Sequence, residues 1–275
     1  MTNPPKVPLA KWSAQWRVLS CAVAFVSLAA PASAAPVLGT AQAFVVLGAS
    51  TVTSTGATTL TGDLGVYAGT SITGMGTITL NGSVHQTDGV AQQAQIDAQT
   101  AFSSLAALTP TSVLTGQYLG GLTLFAGTYF FASSAQLTGT LTLDAQGDPN
   151  AMFVFQIGSV LTTASGSVVN VLNGDAEDEY WQVGSSATLG TSTTFAGSII
   201  ADQSVTLNTT ATILCGRAIA LQAAVTMDTN TLSNVCAGGA GGGGGGGGGN
   251  VPEPTSLALV GLALGALPLV GRRRS

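Results

Sequence analysis

The C-terminal half of the chain repeats itself every 18 to 20 residues, and this repeat limits the possible folds more than any other feature. Leu189, Leu207 and Met227 occupy equivalent positions, and Gly197 aligns with Gly216. Each repeat alternates apolar and hydroxyl residues in short segments separated by Gly or Asn. Such a period is typical of coils of about three short strands that stack into a tube. The sequence therefore predicts a mainly β fold, a β-solenoid, because the strands of the alternative, a β-sandwich, rarely repeat in register.

The repeat continues upstream, where Gln156 aligns with Gln182 and Gly158 with Gly184. The offset there is larger, 26 residues, because an acidic segment at 173–180 is inserted. Its cluster "DAEDE" (175–179) leaves two interpretations open, calcium binding through carboxylate oxygens or a solvated insertion. The cluster lacks the spacing of a calcium loop, so the sequence predicts no metal site and no cofactor.

One segment departs from the β pattern. Residues 88–108 are rich in Ala and Gln, with no Pro and no Gly after the start. This composition predicts a helix that begins at Asp88 and lies along one face of the tube. The predicted apolar stripe contains Val90, Ala94, Ile96 or Asp97, Ala101, Phe102 and Leu105.

The N-terminus has the three parts of a secretory signal peptide. Lys6, Lys11 and Arg17 precede an apolar stretch at 18–30, and "ASA" at 32–34 is a small-residue cleavage site. Thirteen apolar residues are too few to cross a bilayer. We therefore expect residues 1–34 to be removed and the folded domain to occupy 35–236, secreted to the cell exterior.

The C-terminus begins with a poly-glycine linker at 237–250 and ends with a sorting segment at 251–275. That segment contains Pro252-Glu253-Pro254, an apolar run at 257–270 and arginines at 272–274. It resembles the PEP-CTERM sorting signal of Gram-negative bacteria that make extracellular polysaccharide. The resemblance implies transient membrane anchoring, processing by an exosortase-type membrane protease, and an exopolysaccharide matrix as a further partner. A plain C-terminal membrane anchor is the alternative.

Charge excludes several classes of function. Between residues 35 and 250 the one basic residue is Arg217, against eleven carboxylates. Binding to nucleic acid needs clustered Lys and Arg, so nucleic acid is not a partner. Catalysis is not expected either. In this range a catalytic set could draw on one basic residue, Arg217, and one histidine, His85.

Two cysteines remain after removal of the signal peptide. Cys215 and Cys236 lie 21 residues apart, close to one repeat period, in a compartment that favours disulfides. The spacing is compatible with a disulfide between neighbouring coils and equally with two buried thiols.

The stretches "LGTAQAFVVLGASTVTSTGATTLTGDLGV" (38–66) and "WQVGSSATLGTSTTFAGSI" (181–199) resemble the bacterial and fungal ice-binding proteins. The resemblance covers almost all of 36–235. It implies an irregular (discontinuous) right-handed β-solenoid with one long helix packed along it. It also implies an antifreeze function, in which the protein adsorbs to an ice crystal surface and inhibits growth or recrystallisation without catalysis or cofactor.

In that family the ice-binding surface is a flat face carrying a loose Thr-Ala/Gly-x-Thr/Asn motif. Here "TGAT" (55–58) matches fully, while "TTAT" (209–212) and "TSTT" (191–194) match at both ends. Two further segments match more weakly, "TNTL" at 229–232 and "SGSV" at 165–168. The predicted ice-binding residues are Thr55, Thr58, Ser165, Ser167, Thr191, Ser192, Thr194, Thr209, Thr210, Thr212, Thr229 and Thr231.

A surface adhesin or matrix protein that binds polysaccharide is the alternative function. The sorting segment and an extended solenoid suit it equally well. The ranks of threonine at equivalent positions favour ice, because threonine combines a methyl group with a hydroxyl on a stiff side chain.

Overall fold

The computed structural model describes residues 37–174 and 178–236. The predicted signal peptide, linker and sorting segment lie outside this range. The described chain is mainly β with one helix, as predicted, and α1 spans Gly89–Ala106. The strands are β1 (Phe44–Gly48), β2 (Thr51–Thr55), β3 (Thr58–Thr61), β4 (Asp63–Val66), β5 (Ser71–Thr73), β6 (Ile78–Asn81), β7 (Val84–Gln86), β8 (Ser112–Val113), β9 (Thr123–Phe125), β10 (Gly127–Phe131), β11 (Ala135–Leu137), β12 (Thr140–Asp144), β13 (Phe153–Ile157), β14 (Leu161–Thr163), β15 (Val168–Leu172), β16 (Glu179–Val183), β17 (Ala187–Leu189), β18 (Thr194–Ala201), β19 (Val205–Leu207), β20 (Thr212–Ala220), β21 (Val225–Asp228) and β22 (Thr231–Ser233).

Successive strands turn through three faces, and every pairing between strands is parallel. The ladder face is the seven-stranded sheet, in the order β11-β14-β17-β19-β21-β2-β5. The helix face contains β7, β4, β1, the C-terminal part of β20, the C-terminal part of β18, β16, β13, β10 and β8. The third face contains β6, β3, β22, the N-terminal parts of β20 and β18, β15, β12 and β9.

The coils do not stack in chain order. β1 and β2, at the start of the domain, pair with β20 and β21 of the last coil. β4 and β5 then extend the stack beyond β1 and β2, and β7 is the terminal strand of the helix face. At the opposite end of this face β8 pairs with β10 and, among residues 37–174 and 178–236, with no other strand. The chain between β7 and β8, which includes α1, therefore joins the two ends of the stack.

The sequence alignment of the coils is confirmed by their register. Leu189 pairs with Leu207, and Leu207 pairs with Met227. Gly197 pairs with Gly216, and Gln156 pairs with Gln182. Apolar side chains that alternate inward along each strand fill the tube, since these parallel strands each present every second residue to the interior.

Helix α1 begins where predicted and packs with a different stripe. The Asp88 side chain accepts a hydrogen bond from the Ala91 amide at 2.8 Å and caps the N-terminus. Val90, assigned to the buried stripe from the sequence, and Ile96, one of the two alternatives for a further stripe position, are 49% and 52% exposed. The buried residues are Ala91, Ala94, Ala98, Ala101 and Leu105. Alanines at intervals of three and four let the helix lie close to the strands, which explains the difference.

The helix covers one face of the tube. It packs with Phe44, Leu47, Val154, Ile200 and Ile219, so the central strands of the helix face (β1, β13, β16 and the C-terminal parts of β18 and β20) are buried on both sides. The buried Gln156 amide donates to the carbonyls of Leu105 and Leu108 at 2.7 and 2.8 Å and satisfies the C-terminal end of the helix. Within the described residues, no helix is long and apolar enough to span a membrane.

Cys215 and Cys236 form a disulfide, one of the two alternatives that the sequence left open, with Cα atoms 4.5 Å apart. Cys215 has φ of +55° and lies in β20. The bond attaches the end of the described chain to the middle of the stack, next to the position where β20 passes from the third face to the helix face.

Candidate functional site

A column of threonines runs along the outside of the ladder face. Thr53 pairs with Thr73 on one side and Thr226 on the other. Pairing continues from Thr226 through Thr206 and Thr188 to Thr162, and the next strand contributes Gln136. Six neighbouring strands thus place threonine at one position. We call Thr73, Thr53, Thr226, Thr206, Thr188 and Thr162 the threonine ladder.

The ladder face is regular along its length. Its strand pairings show no register shift, whereas the pairing of β18 with β20 shifts between Ala196 and Gly197. The residues on either side of each central threonine point inward, as Val205 and Leu207 do around Thr206. Neighbouring threonines therefore lie about 4.8 Å apart, the spacing of paired strands.

Hydroxyls also flank the ladder. Thr51 pairs with Ser71 on the edge nearest the helix face. Two coils further along, the Ser204 hydroxyl donates to the Ser186 hydroxyl at 3.0 Å. Residues two apart on a strand, such as Thr51 and Thr53, lie about 6.7 Å apart. The face thus presents a two-dimensional array of hydroxyl and methyl groups.

The turn between the ladder face and the third face, which we call the corner, is built around one residue per coil in the left-handed region. Ser192, Thr210 and Thr229 have φ of +57°, +61° and +56°. Gly56 and Gly166 occupy the same place in two other coils, with φ of +69° and +68°. A β-branched residue in this region is an outlier that its surroundings must hold in place. The Ser192 and Thr210 hydroxyls help to do so, since they hydrogen bond to each other at 2.8 Å.

The residues predicted from the motif fall into three groups. Thr194, Thr212 and Thr231 lie in register on the third face. Thr58 and Ser167 are 1% and 0% exposed, so assigning them to the outer surface was wrong. The remaining residues lie in the corner or directly before it: Thr55, Ser165, Thr191, Ser192, Thr209, Thr210 and Thr229.

The error at Thr58 comes from the length of one corner. Thr55 pairs with Asp228, yet Thr59 and not Thr58 pairs with Thr231. The first coil therefore has one more residue in its corner than the last coil. This extra residue turns Thr58 inward, where it accepts a hydrogen bond from the Ser54 hydroxyl at 2.9 Å. The sequence "TGAT" therefore matches the motif, but Thr58 does not occupy the outward position that the motif assigns to it.

A buried amide supports the corner from inside. Asn230 is 1% exposed, and its side chain donates to the carbonyls of Asn208 and Ala211, both at 2.9 Å. Its Oδ1 atom accepts from the Asp228 amide at 2.6 Å. Three backbone groups from two coils are thereby satisfied by one side chain.

Replacing Asn230 by Ala should lower the free energy of unfolding by about 2 to 4 kcal/mol, because it leaves buried backbone groups without partners. Urea denaturation followed by circular dichroism measures this. Asn170→Ala is the matched control, since Asn170 is exposed in β15 and its loss should be close to neutral. Equal effects of the two substitutions would contradict the supporting role of Asn230.

Asp228 is the one ionisable side chain within the strands of the ladder face. Its carboxylate accepts hydrogen bonds from Thr209 and from Thr229, the latter at 3.0 Å. The Thr209 hydroxyl, followed by Thr229, lowers the pKa of Asp228 below its usual value. The group therefore remains a hydroxyl-bound anion at neutral pH, at the edge of the ladder.

We expect stability to fall in acid. The pKa of Asp88 is lowered chiefly by the Ala91 amide, that of Asp97 by the Thr40 hydroxyl and that of Asp144 by the Asn173 amide. A carboxyl whose pKa is lowered in the folded state stabilises it above the usual pKa and loses that effect as pH falls through the lowered value. The melting temperature should thus decline as the pH falls below about 3.8. A melting temperature that is as high at about pH 3 as at about pH 5 would contradict this.

The described residues offer no catalytic arrangement. His85 lies in β7, with Nδ1 2.9 Å from an Asp88 carboxylate oxygen, and its ring packs 5.4 Å from that of Phe44. Arg217 is buried and donates to the Gln42 carbonyl and the Ser198 hydroxyl. No group of three or more metal-ligating side chains occurs in 37–174 or 178–236. Of the acidic cluster, 175–177 lie outside the described residues, and Glu179 is a fully buried residue of β16 rather than part of a solvated insertion.

Sequence reasoning missed the threonine ladder, although a signal for it was present. The residue before each aligned apolar residue is a threonine, namely Thr188, Thr206 and Thr226. Each stands between two apolar residues and does not match the Thr-Ala/Gly-x-Thr/Asn motif, because an apolar residue follows it in place of Ala or Gly. An apolar-Thr-apolar triplet that recurs at the repeat period would have identified the column.

A family model described as ice-binding-like matches residues 46–233. A second model, the PEP-CTERM protein-sorting motif, matches residues 250–274. An ice-binding protein from Nostoc sp. (strain HG1) is 51% identical over 267 residues, which cover 96% of this chain and 97% of that protein.

Solved structures of ice-binding proteins are similar to the structure of this chain. The crystal structure of an ice-binding protein from an Antarctic biological consortium superposes with a TM-score of 0.70 at 46% identity, covering 73% of this chain and 92% of the other. An ice-binding protein from the Antarctic ascomycete Antarctomyces psychrotrophicus gives a TM-score of 0.69 at 40% identity, covering 71% of this chain and 96% of the other.

Proposed function

Because the chain belongs to the ice-binding-like family, we propose that it adsorbs to ice through the threonine ladder and so inhibits ice growth or recrystallisation. The observation that carries the proposal is the ladder itself, six threonines in register on a sheet without register shifts. The exposed part of the corner extends this surface, so Thr191, Ser192, Thr209 and Thr210 belong to it.

The chemistry of the face suits an uncharged crystal. Threonine methyl groups order water around them, and hydroxyls hold a few waters by hydrogen bonds. The strand spacing of about 4.8 Å and the spacing of about 6.7 Å along a strand are close to repeats of the ice lattice. A rigid array can hold water in an ice-like arrangement before contact, which reduces the entropy lost on binding.

The fold limits the motion of these side chains. Each of the four inner threonines stands between two neighbours of the ladder, and β-branching restricts the χ1 angle of all six. The strands below are fixed by a continuous apolar core and by parallel pairing on both sides. We propose that the coils wind right-handedly, the hand that nearly all parallel β crossovers adopt.

Delivery to the cell exterior is part of the proposal. Residues 1–34 act as a signal peptide, 35–236 form the folded domain, 237–250 a flexible linker and 251–275 the sorting segment. The match to the PEP-CTERM motif supports secretion and processing by an exosortase-type protease, with transient anchoring by the C-terminal segment. The protein carries out no chemical step and needs no cofactor.

Uptake into growing ice tests the function. Fluorescently labelled protein is mixed with slowly growing ice, and the labelled fraction inside the crystal is compared with that of an inert protein of similar size. We expect enrichment in the ice and no retention on insoluble polysaccharide. Exclusion from ice together with retention on polysaccharide would overturn the proposal in favour of an adhesin.

A further inference from the structure

The third face carries a second column of threonines. Thr194 pairs with Thr212, and Thr212 pairs with Thr231. The column continues through Thr59 to Thr79 at one end of the stack. In the other direction Thr194 pairs with Val168, which pairs with Thr140. Six of seven consecutive strands therefore place threonine at this position, and Val168 is the one interruption.

These side chains face outward. Thr59, Thr79, Thr140 and Thr231 are exposed, and Thr194 and Thr212 are half-buried between their neighbours. The residue that follows each of the central threonines points into the core, as Phe195 and Ile213 do at 0% exposure. The column therefore lies on the solvent side of the third face.

The surroundings of this column are almost uncharged. The adjacent outward positions hold Asn81, Thr61, Ser233 and Leu214. Within the strands of the third face the one ionisable side chain is Asp144, at the C-terminal end of β12. The second column thus shares with the threonine ladder the residue type, the spacing and the lack of charge.

The two columns are related coil by coil. Thr53 and Thr59, Thr188 and Thr194, and Thr206 and Thr212 each lie six residues apart. The corner between them also carries hydroxyls, so each of these coils presents threonine on two faces. A single coil geometry therefore generates two parallel threonine columns on two differently oriented faces.

We propose that the third face is a second ice-contacting surface, which lets the protein adsorb to ice planes that the ladder face does not match. The proposal rests on the proposed function of the ladder face and extends it to a second site. Because the two flat faces have different orientations, each face contacts the ice lattice along a different plane. The protein therefore adsorbs to more than one family of ice planes.

Two features make the third face the weaker surface. Val168 removes one hydroxyl from the middle of its column. The pairing of β18 with β20 shifts register directly after the pair Ala196–Leu214, and Leu214 is 48% exposed next to the Cys215–Cys236 disulfide. The regular part of the third face is therefore limited to the strip next to the corner.

Plane mapping on a single ice crystal tests the proposal. Labelled protein is adsorbed to a hemisphere of oriented ice, and the fluorescent planes are recorded for the wild type, Thr206→Tyr and Thr212→Tyr. The wild type should mark two sets of planes. Thr206→Tyr should retain the set assigned to the third face, and Thr212→Tyr should retain the set assigned to the ladder face.

A gain of binding provides the second arm. Val168→Thr completes the column with a side chain of similar size and should increase the signal on the third-face planes by about twofold or more, from one added hydrogen bond. Circular dichroism verifies that each variant is folded. If Thr212→Tyr and Val168→Thr both give the wild-type pattern and intensity, the inference is overturned while the function of the ladder face stands. If the wild type marks no plane, the proposed function fails as well.

Discussion

Replacing Thr206 by Tyr is expected to reduce thermal hysteresis by at least about tenfold without changing the fold. Thr206 is in the middle of the threonine ladder, with Thr188 and Thr226 on either side. A tyrosine ring stands several Å above the threonine plane and separates the neighbouring side chains from the lattice. A gap of about 1 Å already forfeits a quarter to a half of a van der Waals contact, so most of the face loses contact.

The control for this substitution is Thr100→Tyr. Thr100 is exposed on α1 and is not a residue of the ladder face, and its hydroxyl donates to the Ile96 carbonyl of the same helix. The same aromatic group placed there should leave thermal hysteresis unchanged. Both variants should melt at the wild-type temperature, as expected for side chains that point outward from the core. Wild-type hysteresis in Thr206→Tyr would exclude the ladder as the ice-contacting surface.

Replacing Trp181 by Ala should lower the free energy of unfolding by about 3 to 5 kcal/mol, the range for a large aromatic residue removed from a core. Trp181 is 0% exposed and stacks on Phe155 with ring centroids 3.9 Å apart. Its other side contacts Phe195 at 4.8 Å, and Phe155 in turn stacks on Tyr129 at 5.4 Å. The substitution interrupts an aromatic column that connects four strands, β10, β13, β16 and β18.

The Trp181→Phe variant distinguishes how much stability comes from aromatic stacking and how much from the indole hydrogen bond. The phenylalanine retains most of the stacking but leaves the Ala196 carbonyl without the indole N–H that donates to it at 3.1 Å. We expect it to cost roughly 1 to 3 kcal/mol, less than the alanine variant. Urea denaturation measures both. A loss below 1 kcal/mol for Trp181→Ala would show that the column does not hold the coils together.

The sequence predicts the coils well because each coil is a local unit. The apolar positions Leu189, Leu207 and Met227 have equivalent surroundings, since each fills the same layer of the tube. The Asp88 cap of α1 is likewise a local interaction within four residues. Because short segments of sequence encode features of this kind, they can be predicted from the sequence alone.

Long-range stacking is not encoded locally. Nothing in Val46 or Val52 indicates that they pair with Ala218 and Val225, at the opposite end of the domain. The outward register of Thr59 likewise depends on one extra residue in a corner, which the motif letters conceal. The threonine ladder becomes visible when strands far apart in the sequence are placed side by side.

A tyrosine scan of ice uptake determines whether the threonine ladder is the surface that contacts ice. Single tyrosines are introduced on the ladder at Thr188, Thr206 and Thr226, and on α1 at Thr100, and the fraction of each protein taken up by slowly growing ice is measured against the wild type. We expect uptake to be lost for the three ladder variants and preserved for the helix variant. Uptake that is unchanged in the ladder variants, or lost equally in all four, would rule out the ladder as the ice-contacting surface.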